Sequence, residues 1–170
     1  MSPTFRFCPK CGAQLTSREH AGRKRPACPA CDYIVYQNPA PGVAVIVFDS
    51  NERILLARRK GGRFADHWCI PCGWVEWDED LRDAAVREFA EETSLEVVLG
   101  NVAAVHSNFH DPQAHSVGIW FYGNLIGGRL SAGDDVSEVA FCDLDDLPEP
   151  LAFPTDRLVL EQLRANRPKK

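Results

Sequence analysis

The 170-residue chain has no long hydrophobic run. Its longest apolar stretch, Val43 to Phe48, is far shorter than the about 20 residues that a membrane-spanning helix needs. Residues 1–7 also lack the apolar core of a signal peptide. We therefore expect neither membrane insertion nor secretion, and we expect a cytoplasmic protein.

The chain also lacks an excess of positive charge. Its 24 acidic and 19 basic residues give a net charge of −5, which argues against general nucleic-acid binding. The charge is uneven, because residues 1–41 carry six basic and two acidic side chains while the remainder is strongly acidic. Two differently built parts are therefore expected, at residues 1–38 and 39–170. An acidic domain can still host a phosphate substrate if bound divalent cations reverse the local field.

Seven cysteines are present, and four of them form two closely spaced pairs. Cys8 and Cys11 are separated by two residues, as are Cys28 and Cys31. This pattern is typical of a structural zinc site closed by four thiolates, which would stabilise a segment too short to fold alone. Two disulfides, free thiols or an iron site are the alternatives. The sequence therefore predicts an N-terminal zinc ribbon over residues 1–38.

The hydrophobic pattern of the remaining chain predicts a mixed sheet covered by helices, an α/β (α+β) fold. A helix is expected over residues 81–93, capped by Asp80, and a last helix after a Thr155 cap. The first two strands should form a hairpin, and residues 59–79 should form a long loop. Strands are predicted at residues 43–48, 54–57, 97–105, 117–126 and 136–142.

The predicted central helix carries a cluster of carboxylates. Glu88, Glu91 and Glu92 stand at positions i, i+3 and i+4 and therefore project from one side. Like charges this close destabilise a helix unless a cation lies between them, and oxygen ligands favour Mg²⁺ or Mn²⁺. Taken alone, the spacing is more typical of a solvated acidic face. The apolar stripe of the helix is expected to consist of Leu81, Ala85 and Phe89.

The residues around this cluster add a specific motif. From residue 73 to residue 95 the chain reads G-x5-E-x7-R-E-F-x-E-E-x-S-L, in which Gly73, Glu79 and Arg87 precede the glutamates. This resembles the Nudix box, G-x5-E-x7-R-E-U-x-E-E-x-G-U, where U is apolar. Every charged position is present, and Ser94 replaces a glycine that commonly needs a left-handed backbone just past the helix. The family fold is a mixed sheet between helices.

The resemblance implies an enzyme that uses divalent metal ions to hydrolyse a diphosphate linkage in a nucleotide derivative. Glu88, Glu91 and Glu92 would bind Mg²⁺ or Mn²⁺, and Glu88 or Glu92 would also orient or deprotonate the attacking water. Arg87 would anchor a neighbouring glutamate. Gly73 and Glu79 would shape the loop before the helix.

Many Nudix enzymes use a further acid outside the box as a metal ligand or base. The candidates in this sequence are Asp134, Asp135 and Glu138, which precede or begin the strand predicted at residues 136–142. The sequence does not choose among them, and each of the three is also typical of a solvated loop acid.

The substrate is the least determined part of the resemblance. Ribbon-bearing Nudix proteins include NADH pyrophosphatases with an S-Q-P-W-P-F-P-x-S motif, but residues 106–112 read H-S-N-F-H-D-P. The resemblance therefore favours ADP-ribose or FAD, with house-cleaning hydrolysis of a triphosphate such as 8-oxo-dGTP as the alternative. A homodimer is expected from the resemblance alone, and neither a nucleic-acid nor a membrane partner is expected.

A second pattern points to a different enzyme class. Residues 68–72 read W-C-I-P-C, which resembles the redox site of thioredoxins, with Cys69 and Cys72 as the reactive pair. Such a site needs a helix that begins within the motif, whereas the next predicted helix begins near Leu81. A non-catalytic nucleotide sensor is a third hypothesis, against which the intact box acids argue. Metal-dependent turnover would distinguish the three.

Overall fold

The structure is a computed structural model that describes residues 5–112, 114–133 and 135–167. The chain divides into two compact units, Met1–Pro39 and Ala40–Lys170. Within the described ranges, no helix is long and apolar enough to cross a membrane. Asp134, one of the three candidate acids outside the box, lies outside the described residues.

The smaller unit is built around a hairpin of two strands, β1 (Thr16–His20) and β2 (Arg23–Ala27), which pair antiparallel. Ala21 and Gly22 connect them, with φ angles of 50° and 72°. Two consecutive positive φ angles match the right-handed twist of the strands, which is why this turn closes short hairpins. One cysteine pair precedes the hairpin and the other follows it.

The larger unit contains two sheets and two helices. The first sheet has the order β6 (Cys72–Trp74), β3 (Ala40–Ile46), β8 (Ser116–Gly128), β7 (Leu95–Asn108). Only β3 and β8 run parallel in it, so the sheet is mixed. The second sheet is antiparallel, with the order β5 (Trp68–Cys69), β4 (Ile54–Arg59), β9 (Val136–Cys142). The helices are α1 (Leu81–Thr93) and α2 (Pro154–Ala165).

Strand β3 lies between the two helices, which explains its uninterrupted apolar sequence. Val43 and Val45 belong to the core cluster that contains Phe89 of α1. Ala44 and Ile46 belong to the cluster that contains the buried side chains of α2. Because successive side chains of a strand point to opposite faces, both faces of β3 must be apolar. The predicted fold class, a mixed sheet between helices, is confirmed.

Helix α1 begins and ends as the sequence predicts. The Asp80 side chain accepts a 2.8 Å hydrogen bond from the Arg82 N–H at the N-terminus. At the C-terminus Ser94 has φ 59° and ψ 21°, the left-handed conformation, and its N–H donates to the Ala90 carbonyl. A serine therefore adopts the backbone geometry for which the family pattern has glycine.

The predicted apolar stripe of α1 is only partly right. Ala85 and Phe89 are buried, and Ala84 is buried beside them. Leu81, the first residue of the helix, is 39% exposed and does not belong to the buried face. The buried face of the helix is therefore formed by Ala84, Ala85 and Phe89.

Two local predictions are wrong, and a third holds only in part. The predicted hairpin forms at its tip, where Phe48 and Ile54 make an antiparallel bridge and the Asp49 N–H donates to the Arg53 carbonyl. Strands β3 and β4 themselves belong to different sheets, because β6 and β8 occupy the two edges of β3. Residues 59–79 are not one long loop, since they contain β5 and β6. Thr155 does not cap α2: Phe153 holds the N-cap position, and the Thr155 hydroxyl donates a 2.6 Å hydrogen bond to Asn108.

Candidate active site

Arg87 of α1 forms hydrogen bonds that link the preceding loop to the helix. Its Nε and Nη2 atoms donate to the two carboxylate oxygens of Glu79 at 2.7 and 2.8 Å. Its Nη2 atom also donates to the Trp74 carbonyl at 3.2 Å. The hydrogen bonds from Arg87 lower the pKa of Glu79. A bidentate guanidinium–carboxylate pair of this kind fixes geometry as well as charge.

The same guanidinium reaches two of the box glutamates. Its Nη1 atom lies 2.8 Å from Oε1 of Glu88 and 3.2 Å from Oε2 of Glu91. The Glu88 side chain is 19% exposed and packs against Gly73 of β6, whereas the Glu91 side chain is 60% exposed. The two carboxylates therefore differ: Glu88 is positioned by its surroundings and Glu91 faces solvent.

Glu92 is the buried member of the cluster, with 1% of its surface exposed. Its Oε2 atom accepts a 2.8 Å hydrogen bond from the Cys72 N–H. Its Oε1 atom is buried and has no hydrogen-bond donor among the residues that the structure describes. Burial raises the pKa of Glu92 to about 8, against the effect of the Cys72 N–H. A buried carboxylate oxygen without a donor is an atom that a bound cation would satisfy.

The three box carboxylates do not converge closely in this arrangement. In the described part of the chain, the only group of three or more candidate ligand atoms within 4.8 Å of one another is the cysteine quartet. Arg87 draws Glu88 and Glu91 together, and Cys72 holds Glu92 from the other side. The donor set consists of hard oxygens and therefore suits Mg²⁺ or Mn²⁺.

The structure distinguishes between the acids outside the box. Burial is the main cause of the raised pKa of Glu92, the Cys72 N–H opposes it, and the negative charge of Asp135 raises it further. The Gly133 N–H donates to the Glu92 carbonyl at 3.0 Å, which holds this segment against the end of α1. Glu138 instead lies 3.8 Å from Arg58. Asp135 therefore lies near enough to Glu92 to act on it electrostatically, whereas Glu138 lies beside Arg58.

One buried acid near the site was not found from the sequence. Asp156 is 1% exposed and accepts hydrogen bonds of 3.1 Å from the Ile70 N–H and from Nε1 of Trp120. Burial raises its pKa to about 7. Ile70 stands two residues before Cys72, so Asp156 supports the segment whose backbone holds Glu92. In the sequence, Asp156 looks like any acid in the first turn of a helix.

An open groove of about 570 Å³ lies beside the start of α2. The rings of Phe64 and His110 lie 5.3 and 5.6 Å from the ring of Phe153, centre to centre. The Arg59 guanidinium lies 5.6 Å from the Phe153 ring centre. The pKa of Arg59 is raised, although burial alone would lower it, because the acidic side chains of Cys72, Cys69 and Glu92 lie near the guanidinium group. Arg59 thus lies between the groove and the box.

The W-C-I-P-C segment does not form a thioredoxin-like site. Cys69 is fully buried in β5, Cys72 begins β6, and the next helix begins at Leu81. The hydrogen bond between the side chains of Cys72 and Cys69 raises the pKa of Cys72, and burial raises it further. A reactive thiol needs a lowered pKa and a helix N-terminus or cation to stabilise the thiolate. The segment instead serves as the turn that presents the Cys72 N–H to Glu92.

The four N-terminal cysteines converge in the smaller unit. Their Sγ atoms all lie within 4.8 Å of one another, with 3.7 Å between Cys8 and Cys31 and 3.4 Å between Cys11 and Cys28. Four sulfurs placed tetrahedrally at about 2.3 Å from zinc would be about 3.8 Å apart. Gly12, with φ 75°, allows the tight turn after the first pair. The quartet therefore has the spacing that a zinc ion requires.

Comparison with known proteins agrees with this geometry. The sequence profile of the NUDIX domain matches residues 38–163, and the profile of the Nudix N-terminal zinc ribbon matches residues 6–37. The chain is 38% identical over 133 residues to an ADP-ribose pyrophosphatase of Methanocaldococcus jannaschii, covering 78% of each chain. It is 30% identical over 160 residues to the NAD-capped RNA hydrolase NudC of Pseudomonas aeruginosa, covering 93% of this chain but only 54% of NudC.

Among solved structures, a NUDIX hydrolase from Nitrosomonas europaea superposes with a TM-score of 0.82 at 28% identity. The superposition covers 96% of this chain and 95% of the other. The match therefore includes the cysteine-bearing unit as well as the sheets and helices. With the box, the fold and the family profile in agreement, the chain belongs to the Nudix hydrolase family, as a zinc-ribbon-containing pyrophosphohydrolase.

Proposed function

We propose that this enzyme hydrolyses the diphosphate linkage of ADP-ribose, with AMP and ribose 5-phosphate as products. The main support for metal-dependent chemistry is the buried Oε1 atom of Glu92, which has no hydrogen-bond donor among the described residues. Glu92 belongs to the same motif as Glu88. The choice of substrate is supported by the relative named as an ADP-ribose pyrophosphatase, which is matched over 78% of its length.

In this proposal Glu88, Glu91 and Glu92 hold the divalent cations, Mg²⁺ or Mn²⁺. When bound, such ions neutralise phosphate oxygens and lower the pKa of the attacking water. Arg87 keeps Glu88 in place through its own anchorage on Glu79. Water adds to one phosphorus while the bridging P–O bond breaks.

Asp135 is the candidate for the acid outside the box that accepts the proton of the water. Its charge lies near Glu92, and the backbone contact between Gly133 and Glu92 restrains its segment. Glu88 and Glu92 are the alternatives for this role. Asp135→Asn distinguishes these alternatives. If Asp135 is the base, the variant should have a lower kcat and should still bind the metal.

The aromatic groove would bind the base of the nucleotide. Phe64, His110 and Phe153 offer ring surfaces, and Arg59 lies between them and the box. Offset stacking on an aromatic side chain suits a planar base. Phe153→Leu should therefore raise KM for ADP-ribose more than it lowers kcat.

The smaller unit would bind one zinc ion through Cys8, Cys11, Cys28 and Cys31, and this ion would be structural because four thiolates leave no open position. We place the ribbon at residues 1–38 and the hydrolase domain at residues 39–170. The compact units, which divide after Pro39, and the two family profiles support this division. The expected homodimer remains a prediction, which a measurement of the molecular mass in solution would test.

The test of this function is a panel of ADP-ribose, FAD, NADH and 8-oxo-dGTP, each assayed with Mg²⁺ and with Mn²⁺. We expect the highest kcat/KM with ADP-ribose and AMP among the products. FAD at similar efficiency would support the broader dinucleotide class. A profile led by 8-oxo-dGTP would favour the house-cleaning alternative, and nucleotide binding without turnover would favour a sensor.

A further inference from the structure

The hairpin of the smaller unit concentrates positive charge on one face. Arg18 lies directly opposite Arg25, and His20 lies directly opposite Arg23. Directly paired residues of antiparallel strands point to the same face, and so do residues two apart along a strand. These four side chains therefore share one face, which we call the basic face. On the other face Lys24 is balanced by Glu19.

The like charges of the basic face lower the stability of the hairpin. Like charges directly opposite each other destabilise a pair of strands. Arg18 is compensated by Asp32, whose carboxylate lies 2.8 Å away. Among the described residues, Arg23 and Arg25 have no ion pair, and the buried Nε atom of Arg25 has no hydrogen-bond acceptor. The guanidinium groups of Arg23 and Arg25 thus have no carboxylate partner among the described residues.

An exposed aromatic ring adjoins this face. Tyr36 is 53% exposed, and its ring lies edge-on to His20 with 6.1 Å between ring centres. The guanidinium carbon of Arg25 lies 4.6 Å from the centre of the Tyr36 ring. The face therefore combines donors that suit phosphate with a ring that can stack on a planar group.

We propose that the basic face binds single-stranded nucleic acid. Proteins bind single strands by combining a positive surface along the backbone with aromatic rings on which bases stack, and the basic face offers both. An acidic peptide would leave Tyr36 without a planar partner. An anionic membrane surface would attract the charges but would offer Tyr36 no planar group to stack on. The whole-chain charge of −5 predicts no nucleic-acid partner, but local charge decides where an anion binds.

Two adjacent residues provide a matched test. Arg23 and Lys24 are both exposed and each carries one positive charge, but they point to opposite faces of the hairpin. Arg23→Gln and Lys24→Gln therefore change the net charge equally. Binding of fluorescein-labelled single-stranded RNA and DNA oligonucleotides to the full-length, zinc-loaded protein is followed by anisotropy over a series of salt concentrations.

We expect Arg23→Gln to weaken binding several-fold and to lower the slope of log K against log salt by about 0.7, the value for one phosphate contact on a single strand. Lys24→Gln should leave both quantities nearly unchanged. Tyr36→Leu should weaken binding about fivefold or more, as loss of base stacking does, with the salt slope unaltered. Zinc content and hydrolytic activity should match the wild type in all three variants, since none of these residues lies in the active site.

Several results would overturn the proposal. Equal effects of Arg23→Gln and Lys24→Gln on affinity would mean that binding depends on the net charge of the protein and not on the basic face. Equally tight binding of duplex DNA, polyglutamate or anionic vesicles, with no effect of Tyr36→Leu, would assign the face to another polyanion. Absence of oligonucleotide binding at low salt would leave the basic face without this ligand.

Discussion

The carboxylate of Glu88 packs against the Cα atom of Gly73 so closely that no side chain fits between them. A Cβ atom on Gly73 would stand 2.0 Å from both Cδ and Oε2 of Glu88. Non-bonded carbon atoms prefer a separation of about 3.5–4.0 Å. Gly73 of β6 therefore leaves room for the Glu88 carboxylate of α1.

Gly73→Ala should displace the Glu88 carboxylate and lower kcat/KM by about a hundredfold, as misplacement by about 1 Å can do. The melting temperature should change little, because the displaced atoms are the end of a flexible side chain. Gly61→Ala is the control, since an added Cβ there meets no atom within 4 Å. Wild-type kinetics in Gly73→Ala would show that the position of Glu88 is unimportant.

Glu92→Gln should lower kcat by about a hundredfold, because a bound metal supplies several kcal/mol of transition-state stabilisation. The free energy of unfolding should stay the same or rise, since burial disfavours the charge and a glutamine oxygen can still accept from the Cys72 N–H. Asp83→Asn removes a charge from the exposed first turn of the same helix and is the control. Near wild-type rates at saturating Mg²⁺ in both Glu88→Gln and Glu92→Gln would defeat the mechanism.

Elemental analysis should find about one zinc ion per chain, held by the four thiolates. Cys28→Ser should release it and increase proteolysis within residues 5–39, because the ribbon loses its metal. The chemical step should be much less affected. Cys142→Ser, which alters a cysteine outside the quartet, should keep the zinc. Native protein that contains neither zinc nor iron would contradict the assignment.

Asp156→Asn should change how stability depends on pH. Burial raises the pKa of Asp156 in the folded chain to about 7, above its ordinary value of 3.8. Between these values the folded state binds a proton that the unfolded state has lost, so this group lowers the free energy of unfolding as pH rises. The variant lacks this effect, and its stability relative to wild type should therefore improve from pH 4 to pH 7.

Urea unfolding of both proteins across this pH range measures the difference. The opposite trend would mean that the two hydrogen bonds from Ile70 and Trp120 keep Asp156 ionised in the folded state.

The features that the sequence predicts well are those set by short-range spacing. The carboxylates of Glu88 and Glu92 are neighbours in any helix, and Cys8 and Cys11 are neighbours in any tight turn. The start of helix α1 was also predictable, because Asp80 caps it through backbone chemistry that acts locally. Strand β9 has the bounds expected from its apolar residues.

The features that could not be predicted depend on partners distant in the chain. Asp156 is buried where it accepts hydrogen bonds from the Ile70 N–H, 86 residues earlier, and from the Trp120 side chain. Strands β5 and β6 are two and three residues long and exist because β4 and β3 supply their partners. The nearness of Asp135 to Glu92 likewise depends on the fold of the segment after β8. No periodicity in the sequence encodes such pairings.

The backbone that follows β8 is tied to the end of α1 in steps of two residues. The N–H groups of Arg129, Ser131 and Gly133 donate to the carbonyls of Ser94, Thr93 and Glu92, in that order. A single inserted residue within 129–133 would put this alternation out of register and carry Asp135 away from Glu92. Length variation among homologous chains should therefore be absent from this segment and concentrate in turns whose amides have no such fixed acceptors.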